Sequence, residues 1–97
     1  MGKPEKYLKK WKDNPPVEVR SDEVKTVLDC YFEGEWSQDG TSHIVVRNEL
    51  LKGLNDYKPY GEFCIPVKGG KTVKGMYIKK LVKAIETLME LNEVKND

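Results

Sequence analysis

Asp39-Gly40-Thr41-Ser42-His43-Ile44-Val45-Val46-Arg47 contains a turn signal followed by a β-branched run. Asp-Gly between alternating segments is a strong mark of a hairpin, because glycine tolerates the positive φ that tight turns require. Period two then sorts the return strand into two faces, Ile44 and Val46 on one and His43, Val45 and Arg47 on the other. If the first pair enters the core, His43 points away from it. Working back from the turn, residues 32–38 read as the outgoing strand. Val24, Val27, Leu28 and Tyr31 repeat at i, i+3, i+4, i+7, which predicts an amphipathic helix over 21–31. Ser21 is its expected N-cap, with Asp22 and Glu23 suited to the positive end of the helix dipole.

Working forward, Leu50, Leu51 and Leu54 suggest one helical turn, and 57–61 reads as loop. Residues 62–67 form a third strand, in which Pro66 calls for an edge position or a strand end, since proline cannot donate to a ladder. Residues 68–71 read as a flexible basic loop. Ile78, Leu81, Val82, Ile85, Leu88 and Met89 make one apolar stripe, so a last helix runs from about 74–76 to about Glu93. At the front, Tyr7, Leu8 and Trp11 predict a short helix over 4–13, stopped by Asn14-Pro15-Pro16. The fold class is therefore α+β: helix, three-stranded antiparallel sheet, helix, with both helices on one sheet face and a short helical arm in front. The expected divisions are 1–16 for the arm and linker, 17–93 for the domain and 94–97 for a tail.

Ninety-seven residues, 38% hydrophobic and 34% charged, suit one small core. No apolar run approaches the roughly 18 residues that span a bilayer, and the first residues lack the apolar stretch of a signal peptide. A cytoplasmic location is expected. Cys30 and Cys64 lie far apart, without metal-ligand spacing and with one histidine to assist them. They are expected to be reduced and to fill core space, and neither a structural zinc, another metal nor a cofactor is anticipated.

Charge is segregated along the chain. Residues 1–12 hold five lysines against Glu5, and 13–42 hold eight acids against Arg20 and Lys25. Residues 64–85 hold Lys68, Lys71, Lys74, Lys79, Lys80 and Lys83 with no acid. A near-neutral chain with one wholly basic segment has a candidate polyanion face. Gly69-Gly70-Lys71-Thr72 ends like a phosphate-binding P-loop, but Ile65 stands where that loop needs its first glycine, so nucleotide hydrolysis is excluded. The single histidine and the lack of a Gly-x-Ser-x-Gly elbow exclude a confident serine triad.

The run 40–47 resembles the Gly-Ser-x-His hairpin of the HicA (YcfA-like) family of toxin ribonucleases. Further segments are similar in order: Asn14-Pro15 and Val19-Arg20 before the first helix, Val27-Leu28 and Tyr31-Phe32-Glu33 at its end, Ile65-Pro66-Val67 in the third strand. Lys71-Thr72-Val73-Lys74 and residues 77–88 resemble the approach to the last helix and that helix itself. The similarity spans about residues 14–91, with Thr41 for the usual serine, Tyr31 for the usual glycine and an insertion after Arg47. The resemblance implies a fold like that of double-stranded-RNA-binding domains. It also implies an endoribonuclease (an mRNA interferase) that cleaves messenger RNA without a metal, blocks translation and is held inactive by a HicB-type antitoxin. By position His43 takes the catalytic role, while Gly40, Thr41 and Ser42 form the turn that places it.

That chemistry suits the residues. Cleavage without a metal needs a proton taken from a 2′-hydroxyl and one returned to the leaving 5′-oxygen, and an imidazole, whose ordinary pKa is about 6.5, can do either. Arg47, Lys68, Lys71, Lys74 and Lys79 are the candidate RNA-binding residues. Lysine is a point charge, so weak sequence preference is expected. Two other readings stay open: a catalytically inactive RNA-binding module, or a protein-interaction domain that uses the open sheet face. Trp36 on that face would favour the last, and its expected place is in the core.

Overall fold

The computed structural model describes residues 2–40, 42–54, 57 and 60–96. Its elements are α1 (Lys3–Asp13), β1 (Glu18–Arg20), α2 (Ser21–Tyr31), β2 (Trp36–Asp39), β3 (His43–Arg47), β4 (Glu62–Pro66), β5 (Thr72–Lys74) and α3 (Gly75–Asn96). A short 3-10 turn covers Glu49–Leu51, where Asn48 caps it by accepting from the Leu50 amide at 2.8 Å. The chain is thus α+β, with three helices, a three-stranded antiparallel sheet in the order β2-β3-β4, and a second sheet of β1 and β5.

Strand parity decides what the large sheet buries. Ile44 and Val46 of β3 and Phe63 and Ile65 of β4 face inward, in one core with Val24, Val27 and Leu28 of α2 and Ile78, Leu81 and Ile85 of α3. Each apolar group removed from water contributes about 25 cal/mol per Å² of its surface, which makes this inner layer the main stabilising term. Leu8 and Trp11 of α1 join the same core, and Tyr7 stacks on Trp11 with ring centroids 6.0 Å apart. The arm is packed on α2 and α3 by its own apolar stripe.

Several expectations need correction. The outgoing strand does not begin at 32: Phe32 is fully buried as the C-cap of α2, and the strand starts at Trp36. Phe32 lies four residues after Leu28, so it extends the helical stripe rather than opening a period-two pattern. Ser21 is not the N-cap. Arg20 holds that position, and its amide donates to the Glu23 carboxylate at 3.3 Å. Ser21 is instead buried, its amide donating to the Lys71 carbonyl at 2.8 Å. The basic loop is a hydrogen-bonded turn: the Lys71 amide donates to the Lys68 carbonyl at 3.1 Å, with Gly69 and Gly70 both at positive φ. Two successive left-handed residues are what a tight primed turn demands. Both cysteines are free and exposed, not core filler, and α3 continues to Asn96.

Gly75 explains how α3 is seated. A Cβ there would lie 2.0 Å from the Pro16 carbonyl oxygen, and the Gly75 amide donates to Val17 at 2.7 Å. Only glycine permits that approach.

Candidate nucleic-acid interface

The hairpin places His43 as parity requires. Asp39 pairs with His43 across β2 and β3, and Gly40, which follows Asp39, takes a φ of +63°. Thr41 lies outside the described residues. Ser42 is exposed, and its carbonyl accepts from the Val67 amide at 2.7 Å. His43 is exposed on the outer face, while its neighbour Ile44 is fully buried.

The register of β3 with β4 sets His43 opposite Pro66. Directly opposite residues in an antiparallel pair have Cβ atoms roughly 5 Å apart. Pro66 also lines a recess of about 310 Å³ together with Val67, Lys68, Lys74 and Tyr77. The imidazole therefore stands next to the wall of a lysine-bearing cleft. Lys68 enters it because the Ser42–Val67 bond carries the ladder one step past Pro66, and Lys74 because β5 returns to the Lys68 turn through a Lys68–Thr72 bridge. Glu18 stands opposite Lys74 in the β1–β5 register.

The other expected cations are not gathered there. Lys71 is exposed at the end of the turn. Arg47 lies at the far end of β3, where its guanidinium donates to the Glu62 carboxylate through Nε at 3.1 Å and also through Nη2. It lies 5.9 Å from the centre of the Tyr60 ring. Lys79 lines a different recess, with Trp11, Lys12, Pro15, Val82, Lys83 and Glu86. At 3.6 residues per turn Tyr77 and Lys79 point about 200° apart around α3, so the two recesses flank the helix on opposite sides. Exposed Lys80 lies between them, 5.8 Å above the Tyr77 ring.

Trp36 faces the helices. It sits opposite buried Val46, is partly buried against the core and donates to the Asp29 carboxylate through Nε1 at 3.0 Å. The outer face at that end also carries a recess of about 410 Å³ lined by Gly34, Glu35, Trp36, Ser37, Val45 and Arg47. On the other side of the molecule, burial raises the Cys30 thiol above its usual pKa, and the carboxylates of Glu5 and Glu33 add to the shift. Burial likewise raises the Tyr31 phenol.

Among the described residues no group of three or more His, Cys, Asp or Glu side chains is placed to hold a metal ion, and no helix is long and apolar enough to cross a membrane. Lys12 escaped the sequence reading, because only the packing of α1 on α3 brings it beside Lys79 and Lys83 of the basic segment. Charge density over 1–12 was the one available signal. Comparison with family models, curated proteins and solved structures finds no match. The fold and its outer face define a small α+β protein with a solvent-facing imidazole beside a lysine-lined cleft, and on that the functional reading rests.

Proposed function

We propose that this chain is a cytoplasmic, RNA-binding endoribonuclease of the toxin type, built like a double-stranded-RNA-binding domain and similar to the HicA family. What supports the reading is one juxtaposition. His43 is presented to solvent opposite Pro66, and Pro66 borders the recess that holds Lys68 and Lys74. A phosphate lying over that recess meets two ammonium groups and leaves its sugar edge toward the imidazole.

In the reaction, a base takes the proton of a 2′-hydroxyl, the 2′-oxygen attacks the adjacent phosphorus, and the bond to the 5′-oxygen breaks as that oxygen accepts a proton. The products are a 2′,3′-cyclic phosphate and a free 5′-hydroxyl, and no water or oxidant is consumed. His43 serves as the general acid or base for one of the two transfers. Such a positioned group contributes roughly 100- to 10,000-fold in rate. Lys68 and Lys74 stabilise the charge that builds on the phosphate oxygens. The expected regulator is a HicB-type antitoxin that covers the hairpin face.

Purified protein should cleave unstructured RNA in the presence of a chelator, and His43→Ala should lose at least 100-fold in rate while binding RNA as before. Equal cleavage by the variant would remove the catalytic assignment. An RNA-binding module without chemistry is the second reading. It is favoured by one observation: among the described side chains, no carboxylate or hydroxyl is hydrogen-bonded to the His43 ring to orient it. Binding without cleavage by the wild-type protein would decide for that module.

A further inference from the structure

The recess between α1 and α3 on the far flank of the last helix is a second basic surface. Its rim carries Lys12, Lys79 and Lys83 against Glu86, three cations to one anion, over a floor of Trp11, Pro15 and Val82. We infer that this recess is a backbone-binding subsite for RNA, and that the amino-terminal arm exists to complete it. The inference rests on the RNA-binding reading and extends it to residues outside the hairpin cleft.

Three features point to an anion. Lys79 and Lys83 are four residues apart on α3, a like-charge spacing that destabilises a helix. The first turn of α3 has no acid, and Lys79, Lys80 and Lys83 crowd the half of the helix nearest its positive dipole end. A surface selected only for solubility has no reason to concentrate like charges there. The charge also stops sharply: residues 86–97 contain Glu86, Glu90, Glu93 and Asp97 against Lys95. The basic surface is therefore bounded rather than uniform.

α1 supplies the other side. Leu8 and Trp11 seat the helix on the core, which carries Lys12 to within 3.2 Å of Glu86. Both members of that ion pair are about half exposed, so the pair is weak and a phosphate can replace the carboxylate. From the hairpin cleft a strand crosses the exposed side of α3 over Lys80 and reaches Lys79, Lys83 and Lys12. A nucleic-acid backbone fits this path, because Lys80, Lys83 and Lys79 follow one another around the exposed side of α3 toward Lys12 and the rim of the recess is mainly cationic.

The test uses an unstructured 2′-O-methyl RNA oligomer, which lacks the hydroxyl that cleavage needs. Replacing Lys12, Lys79 and Lys83 together by Gln should weaken binding and flatten the slope of log affinity against log salt by about 0.7 per lost phosphate contact, roughly 2 in all. The triple Arg variant should keep the slope. The Gln and Arg variants should keep the wild-type circular dichroism spectrum, so that the change in slope is read on folded protein. In wild-type protein the oligomer should also protect Lys12 and Lys79 from acetylation, read by mass spectrometry, and leave Lys25 and Lys52 reactive. Wild-type binding with an unchanged slope and no protection of Lys12 or Lys79 would overturn the subsite alone. Failure of the wild-type protein to bind the oligomer at low salt would overturn it together with the RNA reading.

Discussion

At one end of β3 the polar groups are satisfied within the protein. Arg47 donates to Glu62, Asn48 donates to Glu35 at 2.8 Å while capping the next turn, and Arg47 packs over Tyr60. At the other end His43 and Ser42 are exposed, and Lys68 and Lys74 line a recess, neither of them in an ion pair among the described residues although Glu18 stands opposite Lys74 in the β1–β5 register. The two ends share one strand, one face and one period. What separates them is whether the basic group is held by a carboxylate: Arg47 is bonded to Glu62, while among the described residues no carboxylate is bonded to His43, Lys68 or Lys74. On β4 Glu62 is Arg47's register partner and holds its guanidinium, whereas His43's partner there is Pro66, which offers neither charge nor an amide hydrogen; on β2 His43 stands opposite Asp39. An end that closes its own polar groups serves the fold, and an end that leaves them open is available to a ligand.

The sharpest way to break this contrast is to compare neighbours on opposite faces. Ile44→Ala removes a fully buried side chain and should cost about 2–5 kcal/mol of unfolding free energy. His43→Ala removes an exposed one and should stay within about 0.5 kcal/mol. Chemical denaturation of the two variants measures both. If His43→Ala were as damaging as Ile44→Ala, the imidazole would be part of the packing and unavailable for chemistry.

A smaller effect tests the closed end. Arg47 and Glu62 are partly exposed, so a double-mutant cycle between Arg47→Ala and Glu62→Ala should give a coupling of about 0.2–1 kcal/mol. Arg47→Ala should also lower RNA affinity less than Lys68→Ala, because its charge is already shared with Glu62. A larger loss at Arg47 would mean that the guanidinium leaves its partner for phosphate, and the two ends would no longer differ.

How much of this was legible depended on the range of each signal. The hairpin and the exposure of His43 followed from local period two, which the register bears out. The same parity also exposes Cys64, flanked by buried Phe63 and Ile65, whereas the general tendency of cysteine to be buried points the other way. The β1–β5 pair was invisible because each strand has three residues and the partners are 52–56 positions apart, too short for any periodicity to register. The lysines failed differently. Lys68, Lys74 and Lys79 are close in sequence, but a helix turns about 100° per residue, so nearness along α3 does not put Lys79 in the cleft with the other two. The arm's contribution needed knowledge of packing that no local pattern contains.

The two thiols offer the finest probe of the contrast. Cys64 sits mid-sheet on the outer face, opposite Val45 and between the two ends of β3, whereas Cys30 lies at the carboxyl end of α2 near Glu5, its Sγ 4.0 Å from the carboxylate. Alkylation requires the thiolate, and a raised pKa lowers the thiolate fraction at pH 8. Cys30 should therefore react more slowly than an unstructured cysteine, and Glu33→Gln, which removes one of the carboxylates that raise it, should speed the reaction. Bound 2′-O-methyl RNA should slow alkylation of Cys64 and leave Cys30 unchanged, as followed by mass spectrometry of each peptide. Protection of Cys30 instead would place the polyanion against the acidic side of the molecule, where repulsion should exclude it, and the open end of β3 would lose its claim as the binding face.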